Sequence, residues 1–229
     1  MSISIIIPAY NEEESISKCL SLTSRIFKEI DHELIVVNDG SSDDTLSIIT
    51  KFSSKAKIKI ITYSKNRGYS YAIRKGFSKA GKDYIGILDA DLQYSPLDLL
   101  AIYKIAEKGG RKFVIGRPTN KYQTNISRRT ISVIYRLYVR FALGFKLPDP
   151  NSLKVIERQF LKKFKLSMER GMIDLEIVKG VLESGVPVEM YPIEVYKREA
   201  GRSKASLRLI IKTMVDCARL RKKRVFNEN

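Results

Sequence analysis

Asp89 and Asp91 stand with only Ala90 between them, directly after an apolar run, in the stretch Tyr84 to Pro96 (YIGILDADLQYSP). Carboxylates this close repel each other, and an apolar flank adds a desolvation cost. A hard divalent cation, Mg2+ or Mn2+, offsets both, because two oxygen donors on a strand end hold the ion and leave positions for phosphate oxygens. Such an ion would neutralise the charge of a departing diphosphate. Neither GxxxxGK[ST] nor a GxGxxG after the first strand is present, so P-loop and dinucleotide binding lack support. A nucleotide would then be held by its base, its ribose and a metal-bridged diphosphate, which points to a nucleotide-linked donor.

Three other segments carry residue types suited to the same ligand: Pro8-Ala9-Tyr10-Asn11-Glu12, Asn38-Asp39-Gly40-Ser41 and Lys65-Asn66-Arg67-Gly68. Tyr10 suits a base, and Asp39 suits the donors of a base or ribose. Each segment alone reads as an ordinary turn, since Asn, Asp, Gly and Ser dominate turns. Their convergence decides the matter. All follow strands, and ligands of open parallel sheets bind beyond the carboxyl ends of strands.

The elements that must position these groups are legible. Ser2–Ile7, Glu33–Val37, Ile58–Thr62, Tyr84–Leu88 and Lys112–Ile115 are β-branched runs suited to buried parallel strands. Glu13–Ile30, Asp43–Ser53, Tyr69–Ala80 and Pro96–Lys108 carry helical spacing, with Asp43 and Asp44 placed in a first turn and Pro96 at a first helical position. This alternation predicts a doubly wound, Rossmann-like α/β fold with a mostly parallel sheet flanked by helices. Beyond residue 117 the spacing predicts a helix over Asn125–Leu143, a short strand over Lys154–Ile156, a helix over Ile173–Ser184 and a strand over Val186–Val195. A basic amphipathic helix over Lys204–Arg224 closes the chain. With no linker or repeat, residues 118–229 are expected to elaborate the domain begun by residues 1–117.

The 229 residues suffice for one sizeable core. Lys+Arg 42 against Asp+Glu 25 gives a net charge of +17, which favours an anionic partner. Nucleic acid is not expected, because no reader motif or aromatic–basic interleaving is found. His32 is alone, and Cys19 and Cys217 are too distant in sequence for a ligand pair, so a reducing compartment is expected and a zinc site is not. The start, MSISIIIPAY, lacks a basic n-region and is not read as a signal peptide. No apolar stretch approaches the ~20 residues of a spanning helix, so membrane contact is expected at the surface only.

Together SISIIIPAYNEEESI, VVNDGSSDDT, NRGYSYAIRKGF and ILDADLQ resemble the inverting GT-A glycosyltransferases of family 2. DADLQ, the segment Arg198-Glu-Ala-Gly201-Arg-Ser203-Lys204 and the acidic Glu176 are similar to the dolichol-phosphate mannose synthase and polyprenyl-phosphate glycosyltransferase group. The resemblance implies a GT-A fold and transfer of mannose or glucose from a nucleotide-diphosphate sugar, GDP-mannose or UDP-glucose, to a dolichyl or other polyprenyl phosphate. It implies that Pro8, Tyr10, Glu12 and Asp39 hold the nucleoside, and that Asp89, Asp91 and Gln93 bind the metal and diphosphate. Arg128, Arg198 and Lys204 would sit near the lipid phosphate or diphosphate. A cytoplasmic, peripheral location on an anionic membrane surface follows, with a membrane-spanning partner plausible. Departures stand at Asn38 for an Asp, Tyr94 for a His, Asp149-Pro150-Asn151-Ser152-Leu153 for D-P-x-S-G-F, and Gly116-Arg117 for G-S-R.

An alcohol acceptor needs a general base, whereas a lipid phosphate arrives anionic and needs placement by cations. Arg forks suit that task. The main rival is therefore a family 2 enzyme acting on a hydroxyl of a glycan or lipid, with Asp174 or Glu176 as base. A D-x-D-x-[TV] phosphatase is disfavoured because Gln93 stands at the last motif position.

Overall fold

A computed structural model of the chain describes residues 1–54, 58–119, 143, 149–169, 172–197 and 207–227, with the side chains of 207–214 set aside. Its first half alternates β1 (Ile3–Ala9), α1 (Ile16–Ile26), β2 (His32–Asn38), α2 (Thr45–Ser53), β3 (Ile58–Thr62), α3 (Tyr69–Lys79), β4 (Tyr84–Ile87), α4 (Pro96–Gly109) and β5 (Phe113–Pro118). The second half adds β6 (Lys154–Glu157), the single turn α5 (Arg158–Leu161), α6 (Ile173–Glu183), β7 (Glu189–Ile193) and α7 (Leu207–Lys222).

The strands form one sheet in the order β3-β2-β1-β4-β6-β5-β7. β6 runs antiparallel to both neighbours, and every other pairing is parallel. The strands read as nearly unbroken apolar runs because both faces of the sheet are covered. In β1 the two-residue period sends Ile3, Ile5 and Ile7 into one core with Leu20, Phe27, Leu99 and Tyr103. Ile6 faces the opposite core, with Ile73, Phe113, Phe160, Ile177 and Leu220. Chain order reverses beside β1, where β2 and β3 lie on one side and β4 on the other. That switch point opens a crevice at the carboxyl ends of β1 and β4.

Several boundaries differ from expectation. α1 begins at Ile16 rather than Glu13 because residues 11–13 are drawn into the neighbouring loop. Asn11 N–H donates to Ser41 Oγ (3.0 Å), Glu12 N–H to Thr45 Oγ1 (2.8 Å) and Glu13 N–H to Asp43 (3.3 Å). Asp43 is likewise no first-turn residue: its carboxylate accepts from Thr45 N (3.0 Å) and Thr45 Oγ1 (2.6 Å) ahead of α2. β7 is confined to Glu189–Ile193. The helix expected over Asn125–Leu143 lies outside the described residues except for Leu143, which is buried.

Candidate active site

The crevice is lined first by the turn after β4. Leu88 N–H donates to Ile6 O (3.0 Å), which keeps the chain in the sheet up to the residue before Asp89. Asp91 is 3% exposed, and its Oδ1 accepts from Gln93 N (3.0 Å). Between them Leu92 adopts φ 55°, a left-handed conformation that costs a residue with a side chain about 1–3 kcal/mol. The turn then closes on α4, where Ser95 Oγ caps Leu97 N (3.1 Å) and Pro96 opens the helix. A rigid strand end, a strained residue and a capped helix thus fix both carboxylates from either side.

Glu12, on the loop after β1, belongs to the same neighbourhood. The Cys19 Sγ lies 4.0 Å from Asp89 O, and the thiol is raised to about 12. Burial is the main cause; the Thr23 hydroxyl opposes it, and the charges of Asp89, Asp91 and Glu12 add to it. A buried thiol that senses three carboxylates shows the two loops to be adjacent.

At the neighbouring strand tips, Pro8 and Ala9 pair with Val37 and Asn38, which brings the ends of β1 and β2 together. Pro8 and Tyr10 are half-buried, and Glu12 accepts from Ser15 Oγ (3.0 Å). Asp39 is buried, and its two carboxylate oxygens accept from Arg67 N (2.9 Å) and Gly68 N (2.7 Å). It therefore clamps the loop after β3 against the tip of β2, a task not foreseen from sequence. Asn38 links two segments: its amide donates to Thr62 Oγ1 of β3 (3.0 Å) and accepts from Ser41 Oγ (2.5 Å), which ties the tip of β2 to the end of β3 and to the following turn.

Facing this rim, α6 brings Asp174 into a buried ion pair with Lys154 of β6 (2.7 Å, side chains 4% and 2% exposed). Tyr69 and Tyr94 lie alongside. Both phenols are pushed up by burial first, Tyr69 then by Asp174 and Asp89, and Tyr94 then by Asp149 and Asp89. Glu176 is fully buried and accepts from Ser167 N, Met168 N and the Lys223 ammonium. Lys154 was missed from the sequence because a lone lysine opening the apolar run KVI carries no signal. Arg128, Arg198 and Lys204 lie outside the described residues. The chain reaches two residues short of Arg198 anchored to the rim, through Tyr196 N–H donating to Gln93 O (2.9 Å).

A profile of glycosyl transferase family 2 matches residues 4–171. The chain belongs to this family. Among its family 2 relatives are the undecaprenyl-phosphate 4-deoxy-4-formamido-L-arabinose transferases of Photorhabdus laumondii and Serratia proteamaculans, 31% and 30% identical over 93% of this chain. The chain spans 66% of the length of each. Its fold is shared with glucosyl-3-phosphoglycerate synthase from Mycobacterium tuberculosis. The complex with Mn2+, UDP and phosphoglyceric acid gives a TM-score of 0.73 at 19% identity, over 95% of this chain and 78% of that one. The complex with Mg2+ and UDP gives 0.71 at 18%, over 95% and 79%. The seven-stranded sheet is thus a GT-A fold.

Among the described residues no group of three or more His, Cys, Asp or Glu is arranged to hold a metal ion. A closed protein cage is therefore not built among them. Two carboxylates on a fixed turn instead suit a hard cation that takes its other ligands from phosphate and water.

Proposed function

We propose that this family 2 protein transfers a sugar, with inversion, from a nucleotide-diphosphate sugar to a polyprenyl phosphate at a membrane surface. The observation that carries the choice of acceptor is the engagement of both acidic residues that a hydroxyl acceptor would call upon. Asp174 is tied to Lys154, and Glu176 is tied to Lys223 and two backbone amides. An acceptor that arrives anionic needs neither as base. The undecaprenyl-phosphate transferases among the relatives favour the same acceptor class.

In this reading Pro8, Tyr10, Glu12 and Asp39 cradle the nucleoside, and Asp39 also holds the loop over residues 65–68 in register. Asp89 and Asp91, with Gln93 beside them, would hold Mg2+ or Mn2+, which when bound supplies charge for the diphosphate. Residues 1–117 form the donor half, and residues 118–229 provide the acceptor side of the same domain. There Arg128, Arg198 and Lys204 place the lipid phosphate, and the protein rests on the cytoplasmic leaflet, alone or beside a membrane-spanning partner. Mannose and glucose are the first candidate sugars; 4-deoxy-4-formamido-L-arabinose joins them through the relatives.

The test incubates the protein with Mn2+ or Mg2+, dolichyl or undecaprenyl phosphate, and labelled GDP-mannose, UDP-glucose and the arabinose nucleotide. Glycolipid formation is expected from one donor. Transfer to glycan or lipid hydroxyls, with none to either phosphate, would overturn the reading.

A further inference from the structure

At the opposite end of the sheet from the crevice, α3, the start of β4 and the segment after β6 border an open pocket of about 520 Å³. Its apolar wall is Phe77, Ala80, Ile85, Leu161, Phe164 and Leu166. Arg74, Arg158 and Lys162 also line it, and among the described residues no carboxylate does. Ile85, its lining residue on β4, stands four residues before Asp89, so the pocket lies about 13 Å from the proposed metal-binding turn at ~3.3 Å per residue.

Both arginines are held in place by the backbone. Arg74 Nη1 donates to Met168 O, and Arg158 Nε donates to Lys82 O (2.7 Å). Each spends one of five donors on this anchorage and keeps the remainder of its fork. Asp83, near Arg158, offsets part of that charge from outside the pocket; its carboxylate accepts from Ser2 N (2.9 Å) and Ser2 Oγ (3.0 Å). The volume lies in the range of small-molecule sites, and polar and apolar surface share the lining about equally. Anchored forks lose little entropy on meeting an oxyanion, and they match phosphate geometry better than mobile ammonium groups. Two phenylalanine rings in the wall suit a flat, apolar partner.

We infer that this pocket, formed by Arg74, Arg158, Lys162, Phe77 and Phe164, is a second ligand site for a small phosphate ester carrying an aromatic group. It is separate from the donor crevice and independent of the reaction proposed above. Phenyl phosphate is the probe, titrated into isotopically labelled full chain and followed by NMR. Shifts at Ala80, Ile85, Leu161 and Phe164 are expected, with binding at least fivefold tighter than for inorganic phosphate. Lys162→Glu, at an exposed position, should weaken binding at least fivefold, and Ala80→Phe should block the cavity while leaving all three cations.

Three results would overturn the inference: shifts confined to the Asp89–Gln93 turn, equal affinity for inorganic phosphate, or Ala80→Phe binding like the parent with its fold intact. Capture by phosphatidylglycerol vesicles that depends on Lys162, with no phenyl phosphate binding, would assign the cations to a lipid surface and likewise overturn it.

Discussion

At Asp91 one side chain serves two purposes that substitution can separate. Its Oδ1 accepts from Gln93 N (3.0 Å) and so shapes the turn, while under the proposed function its charge would help hold the cation. Asp91→Asn keeps an acceptor oxygen and removes the charge. It should unfold within about 1 kcal/mol of the parent while losing more than about a hundredfold in Mn2+ affinity and transfer rate, beyond the 10–100-fold typical of outer-shell partners. Calorimetry and glycolipid assay together read the two effects, and a variant that keeps full turnover would remove the metal role. Gly40 is the second residue-scale case. It has φ 71°, and an added Cβ would lie 2.5 Å from the Lys65 carbonyl carbon. Gly40→Ala should therefore cost more than about 1 kcal/mol and raise the KM for the nucleotide sugar, because it displaces the loop that Asp39 clamps.

Between elements, polar links fix how strands and helices meet. Glu33 at the start of β2 accepts from Ser4 Oγ of β1 (2.6 Å) and Gly81 N before β4 (2.6 Å), and pairs with Lys59 of β3 (2.6 Å). Burial alone would raise this carboxyl, but the Lys59 ammonium, the Ser4 hydroxyl and the Gly81 amide outweigh it and hold it below the usual glutamate range. A lowered folded-state value contributes stability above the unfolded value of about 4.3, and that contribution is lost as pH falls through the folded value. Glu33→Gln should thus cost about 1–2 kcal/mol at neutral pH, with the gap to the parent closing under acid, as urea unfolding at both conditions would show. The Lys154–Asp174 pair joins β6 to α6 in the same way. Lys154→Met strands a buried carboxylate and should cost about 3–5 kcal/mol, whereas Lys154→Met with Asp174→Leu should recover most of it in thermal unfolding.

On the scale of the molecule, the basic second half divides between core and surface. Cys217, Leu220, Val225 and Phe226 are buried, and Glu183 accepts from Val225 N (2.7 Å) and Phe226 N (3.0 Å), so the end of α7 and the segment after it are part of the fold. Leu220→Ala should cost about 2–5 kcal/mol. The net charge of +17 favours an anionic partner. Among the described residues no helix is long and apolar enough to cross a membrane. Because the net charge is +17, sedimentation with phosphatidylglycerol vesicles should show binding that weakens as salt rises above about 0.15 M. Failure to bind at that salt would remove the membrane-surface assignment.

The strands, their carboxyl-end rim and the paired carboxylates of the β4 turn were determined by sequence alone, because apolar period and turn chemistry are local. So was the family. The tertiary structure decided what depends on meetings between distant segments: that Asp39 clamps a loop, that Asn38 bonds Thr62 of the next strand, that Lys154 neutralises Asp174, and that Glu176 anchors the C-terminal segment. Such pairings leave no periodic trace. They arise because a buried polar group must find a partner, and only the packed fold determines which partner lies within reach.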